Sequence, residues 1–371
     1  MTDLSLHPPI RPERLADLLR RLIDIYSPSG KEDELLEYLS DTLRSHGLPV
    51  IRQSVDEDRY NLLVLPAEAD VQVAFVGHVD TVGAYDLDRY EYSQDGDRIY
   101  GLGAADMKSG CAALLEAFLT VWSSNPGRLP AALALLVGEE EENDGAKKLV
   151  EEYHFPWVVL AEPTDLAPCL CHYGYIETQL TTRGRRRHAS LAGRGANPVE
   201  RMLHLLLAVT RYFIDDRGEV VYNIRDLISP QAGFAVPEWC EAWIDIHTPP
   251  HAPVGDVCID LEETVEANRK SEPPLDAKIR FHTIIGGYEL PEKGPVVRGL
   301  KSVFADRNLT WNPKPFPSHS DANLLWASGM KPILLGPGQL EKAHAPDESV
   351  LFSQVEAAAG LYRDLMLKFV T

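Results

Sequence analysis

The 371-residue sequence predicts an α/β protein: a layered domain with a largely parallel sheet, interrupted by a smaller α+β domain. Two patterns predict it. Short apolar runs alternate with helical patterns as far as residue 163, which is typical of α/β layers. From about Cys171, apolar and polar residues alternate, as in antiparallel strands with one solvated face. The length also exceeds that of one compact core, so two domains are expected.

The first domain begins with helical patterns. Leucine and isoleucine recur at helical spacing after Pro12, which predicts a first helix. Residues 27–47 predict a turn followed by an amphipathic helix that stops at Gly47. The helix predicted at 107–122 consists of small and apolar residues, so we expect it to be buried. Apolar runs predict buried strands at 61–66, 71–77, 132–138 and 157–163.

The alternating pattern predicts an inserted domain at 174–286 within a domain formed by 1–173 and 287–371. Its predicted strands are 175–191, 240–250 and 277–284, and its predicted helices begin at Asn197-Pro198 and at Gly255. After the insertion the α/β pattern returns. The sequence there predicts a buried strand at 332–336 and a last helix from Ser349 to about Phe369.

Composition excludes several classes of protein. With 44% hydrophobic and 25% charged residues, the chain resembles neither a disordered nor a membrane protein. No apolar run reaches the roughly 18–20 residues of a spanning helix. The formal net charge of −20 opposes nucleic-acid binding, because phosphate contacts require a basic surface. No signal-peptide pattern opens the sequence and its five cysteines are an odd number, so we expect a cytoplasmic protein with reduced thiols.

Acidic and imidazole side chains recur in five segments, each after an apolar run or in a glycine-rich loop. The segments are GHVD (77–80), GLGAADMKSG (101–110), GEEEENDGA (138–146), AEPTD (161–165) and AHAPDE (343–348). Ligands of open α/β sheets bind outside the carboxyl ends of the strands. The side chains that follow predicted strands are therefore expected at one edge of the sheet. They are His78, Glu139, Glu140 and Glu162.

The first candidates also have ordinary structural interpretations. His78 and Asp80 point to the same side of a strand, so Asp80 can hold the second ring nitrogen of a ligating imidazole. Taken alone, this pair is better interpreted as a hydrogen-bonded histidine at a strand end. Asp106 precedes a predicted helix, where an N-cap aspartate is common. Neither segment decides the function by itself.

The later candidates are equally ambiguous when each is taken alone. Glu139 and Glu140 are adjacent and face opposite ways, so they cannot share one role, but a run of acidic residues is usually a solvated loop. Glu162 and His344 can be ordinary loop residues. Together, however, two histidines and three carboxylates form an N/O ligand set suited to zinc or a similar divalent ion. Cys169 and Cys171 have the wrong spacing for a zinc knuckle.

In this order and at these separations, the five segments resemble the motifs of a di-zinc hydrolase family. The family includes acetylornithine deacetylase, succinyl-diaminopimelate desuccinylase, aminoacylase and carboxypeptidase G. Two further segments, GRRRHAS (184–190) and SHSDAN (318–323), are similar to family segments. The resemblance implies a catalytic α/β domain with an inserted ferredoxin-like lid, through which two chains form a homodimer.

The resemblance also implies two divalent metal ions per chain, zinc or else cobalt or manganese. His78 and Glu162 would hold one ion, and Glu140 and His344 the other. Asp106 would bridge both ions and be followed by a cis peptide bond. All five residues lie in the motifs that carry the resemblance.

Catalytic roles follow from the same resemblance. Asp80 would orient His78, and Glu139 would be the general base for a hydroxide that bridges the two metals. His188, from the lid of a neighbouring subunit, would stabilise the oxyanion. The substrate-binding residues would be Ser320, Asp321 and Asn323.

The implied reaction is hydrolysis of the amide bond of an N-acyl amino acid, as in acetylornithine or acetyl-lysine deacetylation. A di- or aminopeptidase and a succinyl-diaminopimelate desuccinylase are alternatives among hydrolases. A non-catalytic metal-binding homologue is a third alternative, which the presence of Glu139 beside a full ligand set opposes. The expected partner is a small N-acyl amino acid or peptide, with no nucleic acid and no membrane.

Several positions depart from the family pattern. The stretch GFAVPEWC (233–240) lacks the asparagine that usually meets the substrate. His247 replaces an arginine two residues after Asp245, and His319 replaces a threonine. The lid also carries a basic patch, for which a solvated strand is the favoured interpretation. The alternative is that some of its arginines attract a substrate carboxylate or an acidic carrier protein. The patch consists of Arg183, Arg185, Arg186 and Arg187.

Overall fold

The computed structural model describes residues 7–66, 70–124, 129–194, 197–270 and 276–370. The chain divides into two compact units. The first comprises Met1–Leu170, Leu290–Phe316 and Ser320–Thr371, and the second comprises Cys171–Glu289 and Pro317–His319. The second unit is thus an insertion in the sequence of the first.

The described chain contains helices interspersed with groups of strands. The helices are α1 (Pro12–Asp24), α2 (Asp33–Ser45), α3 (Lys108–Ser124), α4 (Asp144–Glu152), α5 (Pro198–Asp216), α6 (Val254–Arg269), α7 (Pro295–Asp306), α8 (Asp321–Ala327) and α9 (Phe352–Leu367). The strands of the amino-terminal part are β1 (Val50–Ser54), β2 (Tyr60–Val64), β3 (Val73–His78), β4 (Ser93–Asp95), β5 (Arg98–Tyr100), β6 (Ala131–Leu136) and β7 (Val158–Leu160). The remaining strands are β8 (Cys171–His172), β9 (Gly174–Arg183), β10 (Arg187–His188), β11 (Val221–Ile228), β12 (Ala235–Val236), β13 (Trp239–Thr248), β14 (Asp276–Ile285), β15 (Tyr288–Glu289), β16 (Pro315–Phe316), β17 (Pro332–Leu334) and β18 (Ser349–Leu351).

A mixed sheet forms the centre of the first unit. Its strand order is β1-β2-β6-β3-β7-β17. The neighbours from β6 to β17 are parallel, and β1, β2 and β6 pair antiparallel. Every residue of β3 and β6 is buried, as their continuous apolar sequences predict for strands covered on both faces. The predicted α/β fold is confirmed, with two antiparallel pairings at one edge of the sheet.

Helix α3 is buried along nearly its whole length, in agreement with its small and apolar sequence. It packs against α1, α9 and β3. Phe75 of β3 packs edge to face against Tyr362 of α9, with ring centroids 6.1 Å apart. The Tyr362 hydroxyl donates a hydrogen bond to the carbonyl of Leu335, so its polar atom is satisfied in the core. Full burial of a phenylalanine side chain stabilises the fold by about 1.5–3 kcal/mol.

The four long strands and two helices of the second unit follow one another in the order β9-α5-β11-β13-α6-β14. Its antiparallel sheet has the strand order β11-β13-β9-β14, which is the ferredoxin-like arrangement. Both helices pack on the sheet through one apolar cluster that includes Ile176, Leu205 and Leu261. Helix α5 begins as predicted: the Asn197 side chain accepts the N–H of Val199 at 3.1 Å, and Pro198 is the first helical residue.

Three of the differences between the predicted elements and the structure have a clear physical cause. The last helix begins at Phe352, not at Ser349, because Ser349–Leu351 pair antiparallel with β5 and bury Val350. The strand predicted at 175–191 ends at Arg183, because both of its neighbouring strands end opposite that residue. Strand β11 was not predicted, since nearly all of its residues are exposed and no apolar alternation marks it.

Two further findings concern membrane-spanning helices and disulfide bonds. In the part of the chain that the structure describes, no helix has the length and apolar character that crossing a bilayer requires. The five cysteines, all of them within the described residues, form no disulfide bonds with one another: Cys111, Cys169, Cys171, Cys240 and Cys258.

Candidate metal centre

The parallel strands β3, β6 and β7 end at one edge of the sheet, and candidate side chains follow each of them. In the sheet register, His78 is opposite Leu136, the last residue of β6. Val76 is opposite Leu160, the last residue of β7. Carboxyl ends of neighbouring parallel strands therefore bring together four polar side chains from distant parts of the sequence. They are His78, Glu139, Glu140 and Glu162.

The carboxylate of Asp106 lies between the two histidines. Its Oδ1 is 3.2 Å from Nε2 of His78, and its Oδ2 is 3.7 Å from Nε2 of His344. The same His344 nitrogen is 2.9 Å from Oε2 of Glu140. One ligand atom each from His78, Asp106 and Glu140 lie within 4.8 Å of one another. The peptide bond between Asp106 and Met107 is cis, as the family resemblance implies.

Asp80 is fully buried and connects the ends of two strands. Its Oδ1 accepts the N–H of Glu139 at 3.2 Å, and its Oδ2 accepts the N–H of Glu140 at 3.1 Å. Oδ2 also accepts the hydroxyl of Ser29 at 2.7 Å. The Nδ1 atom of His78 is 3.1 Å from the carbonyl oxygen of Asp80 and 3.6 Å from its carboxylate. The aspartate therefore meets the second nitrogen of His78 chiefly through its backbone.

Two further carboxylates are buried beside this group. Glu139 is 8% exposed, and its Oε2 is 4.0 Å from Nε2 of His78. Burial raises the pKa of Glu139 well above its ordinary value; His78 opposes the shift, and neighbouring carboxylates add to it. Burial and then the charge of Asp106 raise the pKa of Glu162 well above its ordinary value. A pair of positive charges at this place would offset the repulsion.

The donor atoms fit a pair of divalent cations. Glu162 is 3% exposed, and among the described residues its buried Oε1 has no hydrogen-bond partner. A buried carboxylate oxygen without a partner is costly unless a cation binds it. The remaining donors are imidazole nitrogens and carboxylate oxygens, the ligands that zinc, cobalt and manganese accept. No thiol belongs to the described cluster.

His344 differs from the other candidates in exposure. Its side chain is 51% exposed, and its backbone is in the left-handed region with φ of 57°. The hydrogen bond to Glu140 raises the pKa of His344 to about 9, and burial opposes the shift. This imidazole is held by Glu140 and Asp106 and remains accessible from solvent.

The predicted substrate-binding residues belong to the start of α8. Ser320 and Asn323 form a capping box: Oδ1 of Asn323 accepts the N–H of Ser320, and Oγ of Ser320 accepts the N–H of Ala322. The Asn143 side chain donates to Oδ1 of Asp321 at 3.1 Å and to the Glu139 carbonyl at 3.2 Å. Asn143 thus connects the start of α8 to the segment that carries the predicted general base.

A sequence model of peptidase family M20/M25/M40 matches residues 74–368, a range that contains every predicted site residue. The chain belongs to peptidase family M20/M25/M40. It is accordingly a hydrolytic enzyme of the metallopeptidase and amidohydrolase type. The family resemblance of the five motifs is confirmed.

Two relatives within M20 indicate the branch to which the chain is similar. It is 26% identical over 382 residues to acetylornithine deacetylase of Proteus mirabilis (strain HI4320), covering 95% of this chain and 96% of that protein. It is 27% identical over 370 residues to acetylornithine deacetylase of Pasteurella multocida (strain Pm70), covering 91% of each.

Solved structures share the fold. A tripeptidase from Staphylococcus aureus superposes with a TM-score of 0.81 at 20% identity, covering 98% of this chain and all of that one. A dinuclear metal-binding M20 peptidase from Bacillus subtilis superposes with a TM-score of 0.69 at 12% identity, covering 97% and 98%. At such identities the likeness shows the M20 fold and not the substrate.

The second unit contains His188, the residue predicted to stabilise the oxyanion, and the two histidines that depart from the family pattern, His247 and His319. His188 ends β10, is exposed, and has its Nδ1 2.8 Å from the hydroxyl of Ser190. His319 stacks on Tyr175 with ring centroids 4.0 Å apart, and His247 tilts against the same ring at 5.3 Å. The two histidines that depart from the family pattern therefore belong to one aromatic group.

Glu348 and Ser29 are at the site, although neither carried a sequence prediction. Glu348 lies within the AHAPDE segment, yet its type and position indicated no role; its carboxylate accepts three backbone N–H groups of the segment that carries Asp106. An acid directly before an apolar strand is the signal that could have identified it. Burial raises the pKa of Glu348 to about 7, although these N–H groups lower it. Ser29 gave no signal, because its partner Asp80 is 51 positions away.

Proposed function

We propose that this M20 enzyme hydrolyses the amide bond of an N-acyl amino acid, as a deacetylase similar to those acting on acetylornithine or acetyl-lysine. Support comes from the deacetylase relatives, which match the chain over more than nine-tenths of its length. The observation that carries the proposal is the Asp106 carboxylate, with one oxygen facing His78 and the other facing His344. Glu139, buried within 4.0 Å of His78, is available as a base.

We assign two divalent cations to this centre, with zinc first and cobalt or manganese as alternatives. His78 and Glu162 would hold one, Glu140 and His344 the other, and Asp106 would contact both. The chemistry that such a pair supplies when bound is polarisation of a carbonyl group and acidification of water. The unpartnered Oε1 of Glu162 and the buried carboxylates support this assignment.

Glu139 is the proposed general base and acid. Its carboxylate takes a proton from the attacking water as the new C–O bond forms at the amide carbon. It then gives that proton to the leaving nitrogen as the C–N bond breaks, so one carboxylate serves both steps. Asp80 fixes the backbone of Glu139 and holds Nδ1 of His78 through its carbonyl oxygen.

The start of α8 is proposed as the substrate side of the centre. Ser320 and Asn323 hold each other in the capping box, and Asp321 is tied through Asn143 to the backbone of Glu139. We assign these three residues the task of shaping the substrate side beside the general base.

We propose that the second unit is a lid and dimerisation domain. Leu203, Leu207 and Ile214 share one face of α5 and are 46%, 58% and 65% exposed. Strand β11 is an edge of its sheet and carries exposed Val221 and Ile228. Exposed apolar side chains and an unpaired strand edge are features of association surfaces. A homodimer would let His188 of one subunit stabilise the oxyanion in the other.

The cytoplasm is the proposed location, and it is supported by five cysteines that form no disulfide bonds with one another, since thiols stay reduced there. For the basic patch, three of whose arginines line a cavity with Glu238 and Trp239, we keep a solvated surface as the assignment. Attraction of a substrate carboxylate or an acidic carrier protein is the alternative.

The deciding experiment is a substrate panel on enzyme reconstituted with zinc, cobalt or manganese. It should contain N-acetylornithine, N-acetyl-lysine, succinyl-diaminopimelate and several dipeptides. Highest kcat/KM on an N-acetyl amino acid supports the proposal. Preference for dipeptides or the succinyl substrate would replace it with the peptidase or desuccinylase alternative. Absence of turnover with every metal and substrate would favour a non-catalytic homologue.

A further inference from the structure

Glu348 makes three hydrogen bonds to one short loop. Its Oε2 accepts the N–H of Gly103 at 2.8 Å, and its Oε1 accepts the N–H groups of Ala105 and Asp106, each at 2.9 Å. The side chain is 5% exposed. Hydrogen bonds from neutral donors to an ionised acceptor are among the stronger ones in proteins. The backbone of Asp106 is thus fixed directly at its own nitrogen.

Backbone hydrogen bonds hold other positions of this loop: the N–H of Leu102 donates to the carbonyl of Tyr90 at 2.9 Å, and that of Ala104 donates to the carbonyl of Gly101 at 3.1 Å. Residues 101–106 precede α3 and belong to no helix or strand. Gly101 and Gly103 have φ of 144° and 77°, a region that favours glycine, so the local backbone preference for this path is weak. The carboxylate of Glu348 replaces the partners that a regular element would provide to the three N–H groups that it binds.

The position of Glu348 is itself well fixed. Its N–H donates to the carbonyl of Ala345 at 3.0 Å, and its own carbonyl accepts the N–H of Gly101 at 3.3 Å. The next residue begins β18, which pairs with β5 over three positions. The segment that supplies His344 to the centre therefore also supplies the group that fixes the Asp106 loop.

We propose that Glu348 is a positioning residue of the metal centre. It holds the loop so that the two oxygens of Asp106 face His78 and His344, and it contacts neither substrate nor cation. The inference rests on the proposed metal roles. A carboxylate is required because both of its oxygens accept hydrogen bonds. In a glutamine, an NH₂ group would replace one oxygen and face either the N–H of Gly103 or those of Ala105 and Asp106, and two donors cannot bond to each other.

The first test compares Glu348→Gln with the matched control Glu341→Gln, whose side chain is exposed seven positions earlier. Metal affinity is measured by competition with a chromophoric chelator, and the cobalt-loaded proteins are compared by visible absorption. Glu348→Gln should bind metal about 10–100-fold more weakly, the usual cost of removing a group that orients a ligand. Its cobalt bands should change in position or intensity, because the Asp106 oxygens move.

Wild-type affinity and an unchanged cobalt spectrum in folded Glu348→Gln would overturn the inference. Binding of fewer than two ions by the wild type would instead contradict the proposed function, so the two failures are distinguishable. If the variant does not fold, amide hydrogen exchange in the metal-free wild type decides. The N–H groups of Gly103, Ala105 and Asp106 should be protected. Exchange at the rate of an unstructured peptide would overturn the inference.

Discussion

Asp80 accepts the backbone N–H of Glu140 at 3.1 Å, although 60 positions separate the two residues. The same carboxylate accepts the N–H of Glu139, and the carbonyl of Asp80 lies 3.1 Å from Nδ1 of His78. Asp80, which is buried, therefore contacts the proposed metal ligands His78 and Glu140 and the backbone of the proposed base Glu139.

Replacing Asp80 with asparagine should lower kcat/KM by about 10–100-fold. The two N–H groups face different oxygens of Asp80, and in asparagine an NH₂ group replaces one of them, so the N–H of Glu139 or that of Glu140 would face a donor. The measurement is steady-state kinetics together with metal content, with Asp58→Asn on the exposed surface as the control. Full activity in Asp80→Asn would show that the two glutamates keep their positions without it.

Glu139→Gln should lower kcat by about 100- to 10,000-fold while metal content stays unchanged. The amide keeps the size of the side chain but cannot take a proton from water. Glu141→Gln, an exposed change two positions later, should leave kcat at the wild-type value. If Glu139→Gln keeps both its metals and its turnover, another group is the base.

His344→Ala should reduce the metal content from two ions per chain toward one. Because this side chain is 51% exposed, its removal leaves the core intact and the variant should fold. Elemental analysis after dialysis measures the metal, and exposed His46→Ala is the control. Two retained ions in His344→Ala would remove this histidine from the ligand set.

Protonation of His172 should destabilise the protein in acid. Burial lowers its pKa to about 4, and the bond to the Tyr173 carbonyl opposes the shift only in part. The unfolded chain binds this proton at its ordinary pKa near 6.5, so stability falls as the pH drops from 6.5 to 4. The loss from this residue is roughly 3 kcal/mol.

Urea unfolding at pH 7 and pH 4 measures this loss. His172→Asn keeps a donor for the Tyr173 carbonyl but cannot take up a proton. It should lose less stability between the two pH values than the wild type does, and exposed His46→Asn should follow the wild type. Equal losses in all three proteins would show that His172 does not drive the acid dependence.

Leu207→Glu on the exposed face of α5 should convert a dimer into a monomer. A charge there removes apolar area from the proposed interface, and light scattering reports the mass. The control is Glu262→Gln, a change at an exposed position of α6, which should leave the mass unchanged. A wild-type protein that is monomeric at micromolar concentration would contradict the proposed dimer.

A complementation experiment tests whether His188 acts across subunits. His188→Ala and Glu139→Gln are each inactive by expectation, and the two are co-expressed with different tags and purified as mixed dimers. Action across the interface predicts one working site per mixed dimer, formed by intact Glu139 and the other subunit's intact His188. Inactive mixed dimers would indicate that both residues act within one chain.

The sequence supported much of this picture because parallel strands have a simple geometry. Buried apolar runs ending in polar residues must carry them to one sheet edge, which is why the sequence alone could group His78, Glu139 and Glu162. The order of the five motifs added Asp106 and His344, whose loops have no periodic signal of their own.

What could not be predicted depends on contacts between distant segments. Asp80 and Glu348 bind backbone N–H groups, which every residue except proline has, so the sequence does not indicate which N–H groups these carboxylates reach. Strand β11 was missed for a related reason: nearly all of its residues are exposed, and β-strands are recognised by alternation between a buried and a wet face.

The bonds from Glu348 to the Asp106 loop join positions 242 to 245 residues apart. Synthesis proceeds from the amino end, so the loop leaves the ribosome long before its acceptor exists. A nascent chain carries exposed acidic segments but no completed cage for a cation. Loading with metal should therefore follow synthesis of the segment that carries His344 and Glu348, and a chain that stops before this segment would lack both groups.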